Sequence, residues 1–419
     1  MERKFANEIL VREFLEETVV KPNAWVQPPV DLDRRIPLEG SGLTGEEELE
    51  LIRQVIREGV LTWGRYVYEF EEVFAKHFNV KHAYSVSSCT AALAIAVKLL
   101  GIKPGDDVIV PGLTFVATSL PALDRGAQIR FADVEPDTLN VSARTIEAAI
   151  TKNVKAIFIV HHDGNPVDMD PILELAKARA IPIVEDCAHA PGAKYKGHYA
   201  GTMADIGCYS FHARKNMTTL GEGGMVATNR DEFPGWIGSL RTFGHHTYEK
   251  PIANPLTGED MPADHALVNG MVPMNYPLSD VQCAAGLIQL RKLDAINKRR
   301  NEIQEYYNEA LKQVGGITTP SVTPDSYSTC HRYTALLREQ DWRDRWPKVK
   351  QAFEDADIDT QRTYLPNYLY DVYQKLGYQD VRCPNAESVY RRSFMLPIYP
   401  ELTDAHVERV VGTLLKAIG

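Results

Sequence analysis

Residues 154–188 read VKAIFIVHHDGNPVDMDPILELAKARAIPIVEDCA. Two short apolar runs, residues 156–160 and 181–184, flank a segment whose apolar residues have helical spacing. Short apolar strands that alternate with amphipathic helices are typical of a mostly parallel sheet covered on both faces. This stretch therefore predicts a strand–helix–strand unit of an α/β protein.

The same alternation continues on both sides of this unit. Seven segments have the length and the apolar content of strands. They are KHAYSVSS, DDVIVP, QIRFADV, VKAIFIVHH, IPIVEDCA, IGCYSF and GGMVAT. The sequence thus predicts a large domain in which a mostly parallel, seven-stranded sheet lies between helices.

The chain of 419 residues is longer than a single core usually supports, so we expect two domains. Residues 1–40 are interrupted by prolines and are expected to form an arm, followed by the large domain at 41–290. The long helical pattern of residues 278–314 suits a spine between domains. Residues 291–419 are expected to form a smaller C-terminal α+β domain.

Two helices are expected before the first strand. Residues 42–59 predict a helix with Thr44 as its cap and an acidic first turn, and residues 70–78 predict a second one.

The composition excludes several classes of protein. A net charge of −10 argues against non-specific binding to nucleic acid. The sequence has neither the apolar stretch of a signal peptide nor one of membrane-spanning length. Its six cysteines are scattered without a CxxC pair, which argues against disulfides and a zinc site and favours the cytoplasm.

Polar clusters follow five of the predicted strands. They are Ser88–Thr90, Thr114–Phe115, His161–Asp163, Asp186–His189 and Ser210–Lys215. In open α/β sheets, ligands bind beyond the carboxyl ends of the strands. We therefore expect these five clusters to converge on one site.

Two charged residues in these clusters need partners. Asp186 ends an apolar strand, where an unpaired carboxylate is costly, and either a helix cap or a ligand contact would satisfy it. Lys215 precedes the glycine-rich run TTLGEGG. In a phosphate-binding loop the lysine follows the glycines, so this stretch does not match that motif. Lys215 is either a surface lysine or a desolvated nucleophile.

Pyridoxal phosphate is the cofactor that uses both groups, because its aldehyde forms a Schiff base with a lysine and its ring nitrogen pairs with an Asp. Its phosphate needs hydroxyls and a helix N-terminus. Ser88, Cys89 and Thr90 open a predicted helix, and Ser210 precedes Lys215 by five positions. Phe115 is a candidate for the apolar contact with the ring.

Ten segments, in order along residues 42–415, carry a resemblance to a known family. They are LTWGRYVYEFEE, SVSSCTAAL, DDVIVPGLTFVAT, FADVEPDTLN, GNPVDMD, VEDCAHAPGAKYKG, GCYSFHARKN, GEGGMVAT, NYPLSDVQCAAGLIQLRKLD and FMLPIYP. The chain resembles the DegT/DnrJ/StrS family of fold-type-I, pyridoxal-phosphate-dependent aminotransferases, known mostly for aminating sugars and cyclitols.

The resemblance implies a role for each matching residue. Lys215 would bind the cofactor covalently, Asp186 would pair with its ring nitrogen, and His189 would lie near its phenolic oxygen. Phe115 would stack on the ring. The phosphate would be bound by Ser88, Cys89, Thr90, Ser210 and, from a second subunit, Asn275. The last role implies a homodimer with shared active sites.

Other implied roles stay open at the level of sequence. Four residues fall where the family often contacts substrate, although ordinary packing explains each of them equally well: Trp63, His331, Tyr333 and Tyr364. Arg241 fits either an anion contact or a surface ion pair.

The implied reaction moves an amino group from glutamate or glutamine to the keto group of a sugar, a nucleotide-linked sugar or a cyclitol. The alternatives are a ligand-binding protein without turnover and a pyridoxal-phosphate enzyme of another reaction type. Family members that dehydrate sugars carry a histidine in place of the lysine, so Lys215 argues against that reaction.

Four places depart from the family pattern and leave the acceptor open. Cys89 replaces a glycine, Leu220 is an extra residue, and Pro277 replaces a basic residue. His162 and Asp163 stand where apolar or aromatic residues are common.

Overall fold

A computed structural model describes residues 31–40, 43–245, 252–253, 256–261, 265–312, 314–319 and 321–418. The arm predicted for residues 1–40 therefore lies mostly outside the described residues. Within them, the chain alternates strands and helices from residue 46 onwards.

The strands are β1 His82–Val86, β2 Asp107–Pro111, β3 Gln128–Ala132, β4 Val154–Val160, β5 Ile183–Asp186, β6 Lys194–Tyr195, β7 His198–Tyr199, β8 Ile206–Ser210, β9 Gly224–Thr228, β10 Ile252–Ala253, β11 Asp260–Met261, β12 Ile317–Thr318, β13 Ser326–Tyr327, β14 Tyr333–Leu337 and β15 Ser393–Leu396.

The α-helices are α1 Glu46–Glu58, α2 Arg65–His77, α3 Cys89–Leu99, α4 Leu120–Asp124, α5 Ala143–Ala149, α6 Met169–Arg179, α7 Pro234–Leu240, α8 Asp280–Leu311, α9 Trp342–Asp355, α10 Asp371–Lys375, α11 Pro384–Arg392 and α12 Asp404–Ile418.

The predicted seven-stranded, mostly parallel sheet is confirmed. Its strand order is β1-β9-β8-β5-β4-β2-β3, and strands β8, β5, β4, β2 and β3 run parallel. β5 and β8 are buried along their whole length, as a sheet covered on both faces requires. β9 runs antiparallel to both of its neighbours, because the chain turns back directly after β8. Residues 211–223 make that return, and we call them the lysine loop.

A second sheet, of order β12-β14-β15, follows the long helix α8. The buried side chains around it form a separate apolar cluster, which includes Phe353, Phe394 and Val410. Leu32 and Ile36 from the start of the described chain pack into the same cluster, and Ile36 forms a bridge with Ile358.

The first helix does not use the predicted Thr44 cap. α1 begins at Glu46 with Gly45 as its N-cap, and the Gly45 N–H donates to Glu48 Oε2 over 2.8 Å. The side chain of Glu48 thereby satisfies a backbone group that a threonine cap would have left free.

Helix α2 begins five residues before the predicted Phe70. Asp280, at the start of α8, accepts hydrogen bonds from the backbone N–H groups of Gly64 (2.8 Å) and Tyr66 (3.1 Å). A carboxylate distant in sequence therefore caps this helix, in place of a local side chain.

Arg241 has neither of the two roles that the sequence left open. It is buried, its Nη1 lies 2.5 Å from Glu71 Oε1, and it also donates to the carbonyl of Ser85 over 2.7 Å. This buried ion pair links α2 to β1 and to the segment after α7. Among the described residues, no helix combines the length and the apolar character needed to cross a membrane.

Candidate active site

The lysine loop is a compact turn that holds Lys215, half-buried, shortly after the end of β8. The N–H of Phe211 donates to Gly223 O, that of Ala213 to Gly221 O, and that of Lys215 to His212 O. The extra Leu220 takes a left-handed φ of 65° and exposes its side chain. Its N–H donates to Thr218 Oγ1, so the added residue is accommodated at the tip of the turn, five positions beyond Lys215.

Burial decides the protonation of Lys215. It lowers the pKa of the amine from 10.5 to about 8, and the neighbouring charge of Arg332 acts in the same direction. Asp186, Cys89 and Glu39 act in the opposite direction. The amine is thus far closer to its neutral, nucleophilic form than a surface lysine.

Asp186 is buried at the carboxyl end of β5 and is held by three donors. Thr118 Oγ1 donates to its Oδ2 over 2.8 Å, the Ala188 N–H donates to Oδ1 over 3.0 Å, and the Cys89 thiol approaches Oδ1 at 3.8 Å. Burial raises the pKa of this carboxyl, while these hydrogen bonds and the charge of Lys215 oppose the rise. A cation placed against it would stabilise its ionised form.

A helix N-terminus and a hydroxyl group meet at the ends of β1, β8 and β9. Ser88 is the N-cap of α3, and its hydroxyl accepts the Ala91 N–H over 3.1 Å. Ser210 ends β8 and is buried. Gly224 opens β9, and a Cβ there would lie 2.5 Å from the Ser88 carbonyl carbon. The close approach of these backbones forms the kind of cradle that binds phosphate.

His189 is buried and hydrogen-bonded through both ring nitrogens. Its Nδ1 accepts the Asp163 N–H over 3.2 Å, which leaves Nε2 as the protonated nitrogen, 3.2 Å from the Tyr364 hydroxyl. Burial lowers the pKa of this histidine well below 6.5, with a further contribution from Lys215. The ring centroid of His331 lies 4.4 Å from that of His189.

The residue after Lys215 connects the lysine loop to two other parts of the chain. Asn216 Nδ2 donates to Asn297 Oδ1 on α8 and to the carbonyl of Thr329, each over 2.8 Å. Its Oδ1 lies 3.0 Å from His331 Nδ1. His331 is thereby brought to the neighbourhood of Lys215.

Four polar atoms in this region are buried without a hydrogen-bond partner among the described residues. They are His162 Nδ1, Asp163 Oδ1, His331 Nε2 and Arg332 Nε. Such groups are costly to leave unmatched. They indicate a site that a polar ligand completes.

The other residues that the sequence singled out differ in exposure and in the groups that they contact. Phe115 is 54% exposed, and its ring lies 5.7 Å from that of Tyr364. Trp63 has a φ of 57° and lies 5.0 Å from the buried guanidinium of Arg241. Thr90 is exposed on the first turn of α3, and Asn275 pairs through its backbone with Thr242.

Tyr333 belongs to the core and does not join the Lys215 cluster. It is buried in the second sheet, its ring lies 5.0 Å from that of Tyr307, and its hydroxyl donates to Asn308 Oδ1 over 2.8 Å. Alternate residues of a strand face opposite sides. The neighbours of Tyr333 in sequence, Arg332 and Thr334, therefore face the site, and Thr334 donates to Asp163 Oδ2.

Sequence reasoning missed three residues of this region: Thr118, Arg332 and Glu39. Thr118 lies in the motif TFVAT, and its hydroxyl is also 2.9 Å from that of Thr114. Arg332 stands between two residues that the sequence did single out, so its position was available as a signal. Nothing in the sequence around Glu39 points to this site.

The residues present fit pyridoxal phosphate. A half-buried lysine of lowered pKa and a buried carboxylate lie close enough for each charge to affect the pKa of the other. A helix N-terminus and the Ser210 hydroxyl lie at adjoining strand ends. These are the groups that the aldehyde, the ring nitrogen and the phosphate of this cofactor require.

Comparisons with known proteins agree with this fit. The family model of the DegT/DnrJ/EryC1/StrS aminotransferases matches residues 43–415. The spore coat polysaccharide biosynthesis protein SpsC of Bacillus subtilis is 36% identical over 371 residues, covering 88% of this chain and 94% of that protein.

Two further relatives extend the comparison. The UDP-4-amino-4,6-dideoxy-N-acetyl-beta-L-altrosamine transaminase of Campylobacter jejuni is 34% identical, covering 89% of this chain and 95% of that protein. The PLP form of Spr1654 from Streptococcus pneumoniae superposes with a TM-score of 0.81 at 26% identity, covering 91% of this chain and 98% of the other. The chain therefore belongs to the DegT/DnrJ/EryC1/StrS aminotransferase family and is a pyridoxal-phosphate-dependent aminotransferase of fold type I.

Proposed function

We propose that the protein transfers an amino group from glutamate or glutamine to the keto group of a sugar, a nucleotide-linked sugar or a cyclitol, in amino-sugar or secondary-metabolite biosynthesis. The observation that carries this proposal is the half-buried Lys215, with a pKa near 8, close enough to the Asp186 carboxylate for each charge to affect the pKa of the other. The relatives named for spore coat polysaccharide biosynthesis and for a UDP-amino sugar support a sugar acceptor.

Lys215 is the residue that moves protons in this proposal. When bound, the cofactor supplies an electrophilic carbon and a ring that accepts electrons from the reacting carbon. An amine with a pKa of about 8 is neutral in about one molecule in ten at pH 7, whereas a pKa of 10.5 leaves less than about one in a thousand. Lys215 Nζ can thus accept a proton from the donor's α-carbon and return it, as a general base and then a general acid.

Asp186 and His189 hold the charges around that proton transfer. The Asp186 carboxylate, fixed by Thr118 and the Ala188 N–H, would keep the ring nitrogen protonated. His189 is held neutral by burial, and its Nε2–H points to the Tyr364 hydroxyl. We assign this pair to positioning the oxygen side of the ring.

The phosphate is assigned to Ser88, Ser210 and the backbone N–H groups at Cys89 and Thr90. Their place at the start of the eleven-residue helix α3 supports this, because backbone donors and the helix dipole favour an anion there. Phe115 is assigned to the ring face, with Trp63, His331 and Tyr364 along the substrate side.

The protein is proposed to act as a cytoplasmic homodimer, with Asn275 reaching the phosphate of the second subunit. Leu267, Val272 and Met274 support this, since they expose apolar side chains close to Asn275 in the sequence. Phe243 is also exposed, and its N–H donates to the Met274 carbonyl. All six cysteines are unpaired and buried, which suits a reducing compartment. The division into a large domain at 41–290 and a small one at 291–419 is part of this proposal, supported by the separate cluster around the second sheet.

The direct test is a pair of half-reactions on the purified protein with bound cofactor. Adding L-glutamate or L-glutamine should convert the absorption spectrum to that of the pyridoxamine form. Keto sugars, nucleotide-linked keto sugars and keto cyclitols, added next, should restore the original spectrum for the true acceptor class.

Two lysine variants make the test specific. Lys215→Ala should slow the first half-reaction at least about 100-fold, since positioned proton transfer contributes about that much. Lys177→Ala, at an exposed lysine of α6, should leave it unchanged. A Lys215→Ala protein that aminates a ketone at a near-normal rate would contradict the assignment.

A further inference from the structure

The guanidinium of Arg332 is buried beside Lys215, and part of its hydrogen-bonding capacity is unused. Its side chain is 14% exposed, and its Nε–H is buried without a partner among the described residues. The central carbon of the guanidinium, Cζ, lies 4.5 Å from the centre of the Tyr364 ring. The Tyr364 hydroxyl in turn contacts Nε2 of His189. Arg332 follows His331, whose Nδ1 lies 3.0 Å from Oδ1 of Asn216, the residue after Lys215, so the two stretches of chain are in contact. The Arg332 charge also lowers the pKa of Lys215.

A carboxylate of the chain itself occupies one edge of this guanidinium. Glu39 Oε1 accepts a single hydrogen bond from Arg332 Nη2 over 3.2 Å, and Glu39 Oε2 lies 3.2 Å from Arg214 Nη1. Arginine binds carboxylates most strongly through two parallel hydrogen bonds. Glu39 therefore binds Arg332 through one hydrogen bond, although the guanidinium can form two with a single carboxylate.

Arg332 also lines a cavity of about 550 Å³, together with Lys350, Arg362, Thr363 and Tyr364. The volume is sufficient for a small polar molecule. A molecule in this cavity has access to a buried cation next to the reactive lysine.

We propose that Arg332 binds the α-carboxylate of the amino donor and that Glu39 fills this anion site until the donor arrives. The inference rests on the proposed function and specifies how its first substrate is held. It also explains why a buried arginine keeps one donor without a partner.

Position distinguishes an α-carboxylate from the other anion that such a cavity could accept. The α-carboxylate is attached to the same carbon as the amine that reacts at the Lys215 position, so its partner must lie close to Lys215. A nucleotide diphosphate is several bonds farther from the reacting keto carbon. Lys350 and Arg362 line the cavity with Arg332, whereas Lys215 does not, and the two residues suit a more distant group.

The test compares three variants of the holoenzyme: Arg332→Gln, Glu39→Gln and the control Arg391→Gln. Arg391 forms ion pairs of 3.9 and 3.7 Å with Glu339 and Glu387 at the end of α11, so the control removes the same charge elsewhere. The first half-reaction gives KM for L-glutamate and L-glutamine, and the second gives KM for the acceptor. Equilibrium binding of the unreactive dicarboxylate glutarate, measured by calorimetry, gives a readout that does not depend on turnover.

Arg332→Gln should raise KM for both donors and Kd for glutarate about 10- to 100-fold, because a charge-assisted pair is lost. KM for the acceptor should stay within about twofold. Glu39→Gln should lower both donor constants, since the internal competitor loses its charge. Arg391→Gln should change none of them.

Arg332→Lys covers the case in which Arg332→Gln fails to fold. It keeps the charge and loses the two-point geometry, so the donor constants should rise to an intermediate degree. Unchanged donor constants in a folded Arg332 variant, or a larger effect on the acceptor than on the donor, would overturn the inference. If the unsubstituted enzyme reacts with neither amino acid, the proposed function itself fails, which is a distinguishable result.

Discussion

At the scale of a single residue, Lys215 makes the free energy of unfolding depend on pH. The folded protein removes the amine partly from water, whereas the unfolded chain leaves it in water, so its pKa differs between the two states. Below about pH 8 the amine is protonated in both states and the burial cost is constant. Between about pH 8 and the ordinary value of 10.5, only the unfolded chain keeps the proton, so stability rises with pH.

We therefore expect the free energy of unfolding of the cofactor-free protein to gain about 3 kcal/mol from this group across that range. Lys215→Met should be more stable than the unsubstituted protein at pH 7 and should lose that advantage above pH 10.5. Urea unfolding of both proteins over a pH series measures the difference. Two curves that run parallel from pH 7 to 11 would show that the amine is not desolvated.

Thr118 supports Asp186 and should set the acid side of the activity profile. Its hydroxyl donates to the buried carboxylate and opposes the rise in pKa that burial causes. In Thr118→Val we expect the pH at which activity falls to move upward, since a hydrogen bond that favours the charged form of Asp186 is lost.

A threonine in an equivalent contact elsewhere provides the control for that measurement. Thr151 donates to the buried Asp107 carboxylate at the start of β2, at the other end of the sheet. The profile of the first half-reaction in Thr151→Val should match that of the unsubstituted enzyme. An acid limb that does not move in Thr118→Val would mean that Asp186 does not control it.

At the scale of elements, the contact between the start of β9 and the start of α3 should control the affinity for the cofactor. A Cβ at Gly224 would lie 2.5 Å from the Ser88 carbonyl carbon and 2.7 Å from the Cys89 nitrogen. Gly224→Ala should displace the helix N-terminus, cost about 1–3 kcal/mol of stability and weaken the binding of pyridoxal phosphate at least about tenfold.

The same substitution on α7 is the control for that prediction. A Cβ at Gly238 meets nothing within 4 Å, so Gly238→Ala should be neutral or stabilise by up to about 1 kcal/mol. Urea unfolding and equilibrium dialysis of the cofactor test both variants. If Gly224→Ala binds the cofactor as tightly as Gly238→Ala does, the contact is not part of the phosphate site.

Local patterns predicted the sheet well because its strands are short, apolar and bounded by helices of contrasting period. The start of α2 could not be read this way, since its cap is Asp280, more than two hundred positions further along the chain. The burial of Arg241 depends in the same manner on Glu71, a distant partner.

For the candidate site, the sequence could single out Lys215 and Asp186 because the chemistry of the cofactor requires particular residue types there. The stretch HRYTALL, residues 331–337, was harder to interpret. Its alternation is typical of a strand, but the sequence does not show which of the two sets of alternate residues faces the site. The aromatic Tyr333 packs into the core, and this places Arg332 and Thr334 on the functional side. Glu39 reaches the site only through tertiary structure.

At the scale of the whole molecule, the apolar surface near Asn275 should form the dimer contact. Val272 is 58% and Met274 45% exposed. Met274→Asp should shift the protein from dimer to monomer in light scattering after size-exclusion chromatography, and the monomer should bind the cofactor more weakly because a shared residue is withdrawn.

Leu376→Asp is the control, because Leu376 is 56% exposed on a different part of the surface. It should leave the mass and the cofactor affinity unchanged. A Met274→Asp protein that remains dimeric would place the contact elsewhere, and an unsubstituted protein that is monomeric would remove the role of Asn275.

Asn216 links three parts of the molecule. Its side-chain amide hydrogen-bonds the lysine loop to helix α8 and to the segment that leads into β14 of the second sheet. A movement that separates these parts has to break buried hydrogen bonds next to Lys215. We expect substrates of different bulk to be accommodated by local rearrangement at Glu39, which contacts Arg332, and not by separation of these parts.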